Sequence, residues 1–176
     1  MPLAARGKRK IGPTICLEAG RGQRVFVINA GLDLIPLLSE IESRAQEHPW
    51  DLAALMSEFD LPFSRIWAAV STLRPARPLG FICFRMLPGG QDVDELYIPE
   101  LSVAPEFQRR GIGSMLLDLV LRYGRVKGAE RVVLDVDPDN EAAVGLYLSR
   151  GFSFVGGGHR SGKKRVMVHE FKGQGC

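Results

Sequence analysis

Cysteine and histidine are scarce, with three of each in 176 residues. Cys16, Cys83 and Cys176 are odd in number, far apart and without Cys-x-x-Cys spacing, which argues against a disulfide framework or a zinc ribbon. Cys83, inside the apolar run 81–84, reads as a small core residue rather than a nucleophile. His48, His159 and His169 show no metal-ligand spacing, so no metal site is expected and each reads as a surface or packing histidine. No apolar run approaches the ~20 residues needed to cross a bilayer. The basic start of the chain lacks the apolar stretch that follows a signal peptide's charged region, so a cytoplasmic protein without membrane contact is expected. Charge of one sign is also in short supply. With 23 Lys and Arg against 20 Asp and Glu, the net charge is +3, short of the concentrated basic surface of a dedicated nucleic-acid binder. Two phosphate signatures are missing as well: no Gly-Lys-Ser/Thr ending marks a P-loop, and Leu116 stands where the dinucleotide fingerprint needs its third glycine.

What is there suits one folded domain. Hydrophobic residues make up 45% of the chain and charged residues 24%, enough to bury a core at this length. Residues 1–22 carry Arg6, Lys8, Arg9, Lys10 and Arg21 among few large apolar side chains. They predict a flexible basic arm, with a single domain over 23–176. The arm reads as a solvated tail, and nucleic-acid binding is not expected of it.

The most informative stretch runs from Leu101 to Gly113. An apolar run, Leu101-Ser102-Val103, stops near Pro105, passes Gln108, Arg109 and Arg110, and opens through Gly111, Ile112, Gly113 and Ser114 into a helix. Gly111 and Gly113 let a ligand approach the backbone without Cβ interference. The first amides of the helix lack internal partners, so the turn is suited to hold an anion, and phosphate is the obvious one.

Periodicity supplies the rest. Compact β-branched and aromatic runs predict strands over 24–28, 66–70, 79–87, 95–103, 131–137, 152–155 and 165–171. Helical spacing appears over 32–46 and over 52–59, the latter with Asp51 as N-cap. From Gly111 to about Gly128, Ile112, Met115, Leu116, Leu119, Val120 and Tyr123 form one stripe. Asp139 or Asn140 caps a last helix that ends at Gly151. Pro99, inside the strand over 95–103, removes a backbone donor and predicts a bulge. Asp135 and Asp137 share one face of their strand.

Gln108-Arg109-Arg110-Gly111-Ile112-Gly113 resembles the Gln/Arg-x-x-Gly-x-Gly/Ala signature of the GNAT N-acetyltransferases. A second segment, from Asn140 through Ala143, Leu146 and Tyr147 to Gly151 and Phe152, resembles the family's Asn-x-x-Ala-x-x-Leu-Tyr-x-x-x-Gly-Phe. The resemblance spans about residues 24–171. It implies an α/β fold with a mixed, mostly antiparallel sheet that splays between its fourth and fifth strands, flanked by helices. It further implies that the turn at 108–114 holds the pyrophosphate of acetyl-CoA, that the free edge of Leu101, Ser102 and Val103 meets the pantetheine arm, and that Asn140 and Ala143 line the same site. Ile41-Glu42 with His48-Pro49-Trp50 resembles the ribosomal-protein alanine N-acetyltransferase branch, RimI, although Trp50 serves equally well as packing for the helix pair.

Attack of an amine on a thioester needs a neutral amine, a donor for the oxyanion and an acid for the leaving thiolate. The resemblance makes Tyr147 the general acid, with a packing role as the alternative. It makes the Val103 amide the oxyanion donor. For the base, Asp135 stands where the RimI branch carries a glutamate, and Glu100 is a second candidate. A free α-amine costs about 1 kcal/mol to deprotonate at pH 7 and a lysine roughly 4 to 5, so modest base machinery favours a protein N-terminal amine. A small-molecule amine acceptor and a non-catalytic acyl-CoA-binding module are the alternatives. At the terminal hairpin the sequence departs from the RimI pattern: Arg160, Lys163, Lys164 and Arg165 replace the branch's tyrosines. They form either a solvated tip or a selector of acidic acceptors, unless Glu95, Glu100, Asp135 and Asp137 line a separate acidic approach.

Overall fold

The computed structural model describes residues 16–19, 23–71, 77–89, 92–161 and 163–171. Among the described residues eight strands form one sheet: β1 (Cys16–Ala19), β2 (Gln23–Asn29), β3 (Ser64–Ser71), β4 (Pro78–Gly89), β5 (Asp92–Val103), β6 (Arg131–Val136), β7 (Ser153–Ser161) and β8 (Lys164–Glu170), in spatial order β1-β2-β3-β4-β5-β6-β8-β7. All neighbours pair antiparallel except β5 and β6. Helices α1 (Ile35–Ala45) and α2 (Leu52–Asp60) precede β3, α3 (Ile112–Val126) joins β5 to β6, and α4 (Glu141–Leu148) joins β6 to β7. The parallel pair follows from α3, because a crossover helix returns the chain in the same direction.

The expected fold stands, with one addition. Cys16–Ala19, assigned by sequence to the basic arm, pairs with β2 through Cys16 to Phe26 and Ala19 to Gln23. The splay therefore falls between the fifth and sixth strands of the sheet. Residues 1–15 lie outside the described residues.

Two cores sandwich the sheet. On one face, Ile112, Met115, Leu116, Leu119 and Val120 of α3 pack on Val27, Trp67, Ile82, Phe84, Leu96 and Leu134. On the other, Ile35, Leu38 and Ile41 of α1 and Leu55 of α2 pack on Ile66, Ala68, Phe81 and Cys83. The apolar stripes read from sequence are the ones buried. Local signals act as their chemistry requires. Asp51 caps α2, accepting from the Ala54 amide at 2.7 Å, and Asn140 caps α4, accepting from the Ala143 amide at 3.1 Å. Gly151, at φ +78°, closes α4: its amide reaches the Leu148 carbonyl and the Phe152 amide reaches that of Tyr147, the paired bonds of a Schellman end.

The bulge at Pro99 is present. Tyr97 opposes Arg85 and Glu100 opposes Cys83, so two residues of β5, Ile98 and Pro99, face the single Phe84 of β4. Pairing of β5 with β6 ends at Ile98 and Leu134. Beyond that rung β6 stays paired to β8, and the outer edge of β5 is free.

Candidate active site

The free edge has a definite polarity. The Ala104 amide bonds the Leu79 carbonyl across β4 at 2.9 Å. In an antiparallel ladder the bonded residues alternate, so Ser102 points its backbone groups at β4, while Leu101 and Val103 point theirs into the gap beside β6. The Val103 carbonyl accepts from Gln108 Nε2 at 3.1 Å and the Leu101 amide donates to Glu100 Oε1 at 3.1 Å.

A cleft of about 560 Å³ opens on this gap, lined by the end of α1, by Leu101 and Val103, by the turn through Gln108, Arg109, Gly111, Gly113 and Ser114, and by Asn140, Ala143 and Tyr147 of α4. Of the residues singled out by sequence, the structure brings those together. Three behave otherwise. Ile112 is buried in the α3 core, Ser102 is buried toward α1, and Arg110 stacks on Phe107 with its guanidinium carbon 5.4 Å from the ring centre. At the mouth of the cleft Gly111 is the N-cap of α3, at φ +83° with no side-chain cap, so the first amides of the helix are left to a ligand. Arg109 also has positive φ, +58°. Such conformations turn successive N–H groups to one side and form anion-binding concavities. A Cβ on Gly113 would sit 3.5 Å from Leu146 and 3.7 Å from Val103, ordinary contact, so any need for glycine there comes from a ligand and not from the fold.

Tyr147 is 8% exposed and touches Phe152. Burial, and then the charge of Glu100, hold its hydroxyl well above the usual phenol range, so it stays protonated and is available as a donor. Asn140 commits its side-chain oxygen to the helix cap, which leaves its NH₂ as the donor it offers to the cleft.

The two carboxylate candidates lie on the face of the sheet carrying α1 and α2. Asp135 accepts the Tyr97 hydroxyl on Oδ2 at 2.8 Å, while its buried Oδ1 has no donor. Glu100 Oε1 accepts from Gln46 Nε2 at 3.1 Å, and Gln46 also reaches the Ser102 hydroxyl at 3.3 Å. Burial, followed by the charge of Glu42, pushes Glu100 up to about 8.

Sequence reasoning missed Glu42. It is fully buried and faces Glu100 and Ser102; its pKa is raised, first by burial. The Trp50 amide donates to its Oε1 at 3.4 Å, which gives the Ile41 to Trp50 stretch a local purpose. The spacing of Glu42 and Gln46, one helical turn apart, was the signal: two polar side chains on an otherwise apolar face of α1.

The remaining candidates stand apart. Glu95 is paired with Arg131 at 2.8 Å, and Asp137 Oδ1 accepts the Asp139 amide at 3.0 Å. Lys163 approaches Asp139 at 4.0 Å and Arg165 lies 4.4 Å over the Phe154 ring, whereas the charge of Lys164 partly opposes the rise of Glu42 and Glu100. The side chains of His159 and Arg160 lie outside the described residues. His169 packs between Phe152 and Phe171, and Cys83 is buried, its thiol pushed up by burial. Among the described residues no cluster could hold a metal, and no helix is long and apolar enough to cross a membrane.

The sequence profile of the acetyltransferase (GNAT) family matches residues 35–152. The ribosomal protein bS18-alanine N-acetyltransferase of Salmonella typhimurium is 28% identical over 119 residues, covering 68% of this chain and 74% of that protein. The mycothiol acetyltransferase of Corynebacterium diphtheriae is 29% identical over 167 residues; the match covers 87% of this chain and 54% of the relative, about half its length. Among solved structures, the ribosomal-protein-S18-alanine N-acetyltransferase of Escherichia coli superposes with a TM-score of 0.70 at 21% identity, over 86% of this chain and 98% of that one. NAA60 of Arabidopsis thaliana in complex with acetyl-CoA gives 0.70 at 19% identity, over 85% and 99%.

Proposed function

The chain belongs to the acetyltransferase (GNAT) family, and from that premise we propose that it moves the acetyl group of acetyl-CoA to a primary amine by direct attack, with the α-amine of a protein N-terminus as acceptor. The observation that carries the reading is one cleft joining the uncapped N-terminus of α3, the free edge of β5 and the buried Tyr147. The amides of Gly113 and Ser114, with Gln108 and Arg109 beside them, would hold the diphosphate. The edge of Leu101 and Val103 would bond the pantetheine arm, with the Val103 amide turned to the developing oxyanion. Tyr147 would give its proton to the departing sulfur.

Gln46 of the α1 end lines this cleft and bonds Glu100, so the amine would approach from the α1 side. Glu100, at about 8, is matched to an α-amine of about 7.7–8.0, which supports an N-terminal acceptor over lysine. The bS18-alanine relative supports the same reading. A small-amine acceptor is the second reading, favoured by the match to mycothiol acetyltransferase over most of this chain.

The test is release of free thiol from acetyl-CoA against a panel of N-terminal peptides, their Nα-blocked lysine counterparts and small amines. Turnover on free N-termini above the rest supports the first reading, turnover on small amines alone supports the second, and no thiol release with any acceptor overturns both.

A further inference from the structure

This inference rests on the acetyltransferase reading and concerns a residue outside the cleft lining. Glu42 and Glu100 bring two carboxyls together beneath α1, and among the described residues neither makes an ion pair. Two adjacent carboxylate charges, one of them fully buried, are costly without a directly paired cation. Their donors are few: Trp50 N–H on Glu42 Oε1 with the Ser102 hydroxyl acting on the same carboxyl, and Gln46 Nε2 and Leu101 N–H on Glu100 Oε1. Glu42 Oε2, fully buried, has no donor. A proton held between the carboxyls satisfies that atom and removes one charge.

We propose that Glu42 and Glu100 share a single proton, making Glu42 the positioning residue that sets the affinity of Glu100 for the proton of the acceptor ammonium. The surroundings fit a unit of this kind. Gln46 and Ser102 hold it from α1 and β5, Cys83 opposes Glu100 on β4 as a buried neutral thiol, Tyr147 on α4 feels the charge of Glu100, and Lys164 on β8 is the cation that acts on both acids. Proton transfer balances simply. The N–H bond of the ammonium breaks, an O–H bond forms on Glu100, and the electron pair stays on nitrogen for attack. The ionised pair with an ammonium and the singly protonated pair with a free amine contain the same number of protons. With similar affinities on the two sides the transfer is nearly level, the condition for efficient general-base catalysis. The titration belongs to the pair, not to either residue.

The test reads the proton directly, on the full chain without substrates. Infrared spectra of the wild type, E42Q and E100Q are titrated from about pH 5 to about pH 10, following the carbonyl stretch of a protonated carboxyl. In the wild type one such band should persist at neutral pH and disappear with a midpoint near 8. In E42Q, whose amide still accepts from Trp50, the midpoint should fall by more than about one pH unit. In E100Q the band should be gone at neutral pH, which keeps the test available if E42Q fails to fold. A second readout is kcat/KM on an N-terminal peptide at pH 8, which should drop about tenfold or more in E42Q with acetyl-CoA affinity unchanged. Absence of the wild-type band, or an unmoved midpoint in E42Q, overturns the shared proton even if acetyl transfer is observed. The expected bands without acetyl transfer to any amine leave the shared proton standing and overturn the reaction.

Discussion

The Tyr97 hydroxyl bonds Asp135 Oδ2 at 2.8 Å across the only parallel strand pair among the described strands, beside the rung where that pair ends. The bond fixes one carboxylate oxygen and leaves the other, Oδ1, buried without a donor. Tyr97→Phe should therefore strand both oxygens and cost about 1–3 kcal/mol, read as a lower melting temperature. Asp135→Asn keeps an acceptor for Tyr97 but loses the capacity to take a proton. A fall in kcat of about 10²–10⁴ without a comparable loss of stability would assign the base to Asp135; activity within about threefold would leave Glu100 as the base.

The turn before α3 separates fold from ligand. Gly111 has φ +83° and open space around it, so Gly111→Ala should cost roughly 1–2 kcal/mol of stability through backbone strain alone. Gly113→Ala should fold normally, since its Cβ makes only ordinary contacts. Gly113→Val should lower acetyl-CoA affinity by at least about tenfold, or 1.4 kcal/mol. Isothermal titration distinguishes the cases, and unchanged affinity in folded Gly113→Val would remove the diphosphate from this turn.

Tyr147→Phe keeps the packing on Phe152 and deletes only the hydroxyl. The expected result is a kcat lower by about 10²–10⁴ with nearly unchanged acetyl-CoA affinity, the mark of an interaction made in the transition state. A proportional loss of affinity would return Tyr147 to a packing role.

Glu58 and Glu100 respond to pH with opposite sign. For Glu58, burial raises the pKa, but the guanidinium of Arg85 and the hydroxyl of Ser64 outweigh it and leave it below the usual 4.5. Its contribution is present above that value and lost as pH falls through the lower folded one. Burial, followed by the charge of Glu42, pushes Glu100 up to about 8 in the fold against 4.5 unfolded, so the folded chain binds the extra proton and stability declines as pH rises from 4.5 to 8. Glu100→Gln should flatten that decline and be relatively most stabilising above pH 8, at about 2–4 °C in Tm per kcal/mol. A thermal scan series in which the wild type gains stability from pH 5 to pH 8 in step with the mutant would contradict it.

The hairpin predicts the charge of the acceptor. Arg165 is occupied with Phe154 and Lys163 approaches Asp139, which among the described side chains of the hairpin leaves Lys164, beside the acid pair, as the cation best placed to meet a peptide. Peptides with acidic residues after a small first residue should outcompete arginine-rich ones, and the preference should shrink with added salt and in Lys164→Ala. A salt-independent preference for the basic set would show that the hairpin does not select.

Most of the architecture is legible in the sequence because its signals are local. The stripe from Ile112 to Tyr123, the caps at Asp51 and Asn140, and the bulge at Pro99 each follow from spacing or from one residue's chemistry. What escaped depends on distant partners. Cys16–Ala19 has little strand character of its own and is a strand because β2 offers it an edge. The donor to Asp135 lies 38 residues away in Tyr97. Glu42 acquires its role only where Trp50 and Glu100 close around it, and nothing in the sequence marks Arg109 for positive φ.

The extra residue at Pro99 acts as a change of parity. Before it, odd-numbered Tyr97 looks toward α2 and even-numbered Leu96 and Ile98 toward α3; after it, Glu100 and Ser102 look toward α1 while Leu101 and Val103 turn to the α3 side. Were Pro99 paired as an ordinary rung opposite Cys83, the assignments downstream would swap, setting two polar side chains against the α3 core and two aliphatic ones against Glu42. The strand would keep its length and composition yet present its inverse, so whether one rung holds two residues or one decides if Glu100 stands on the α1 side of the edge or on the other.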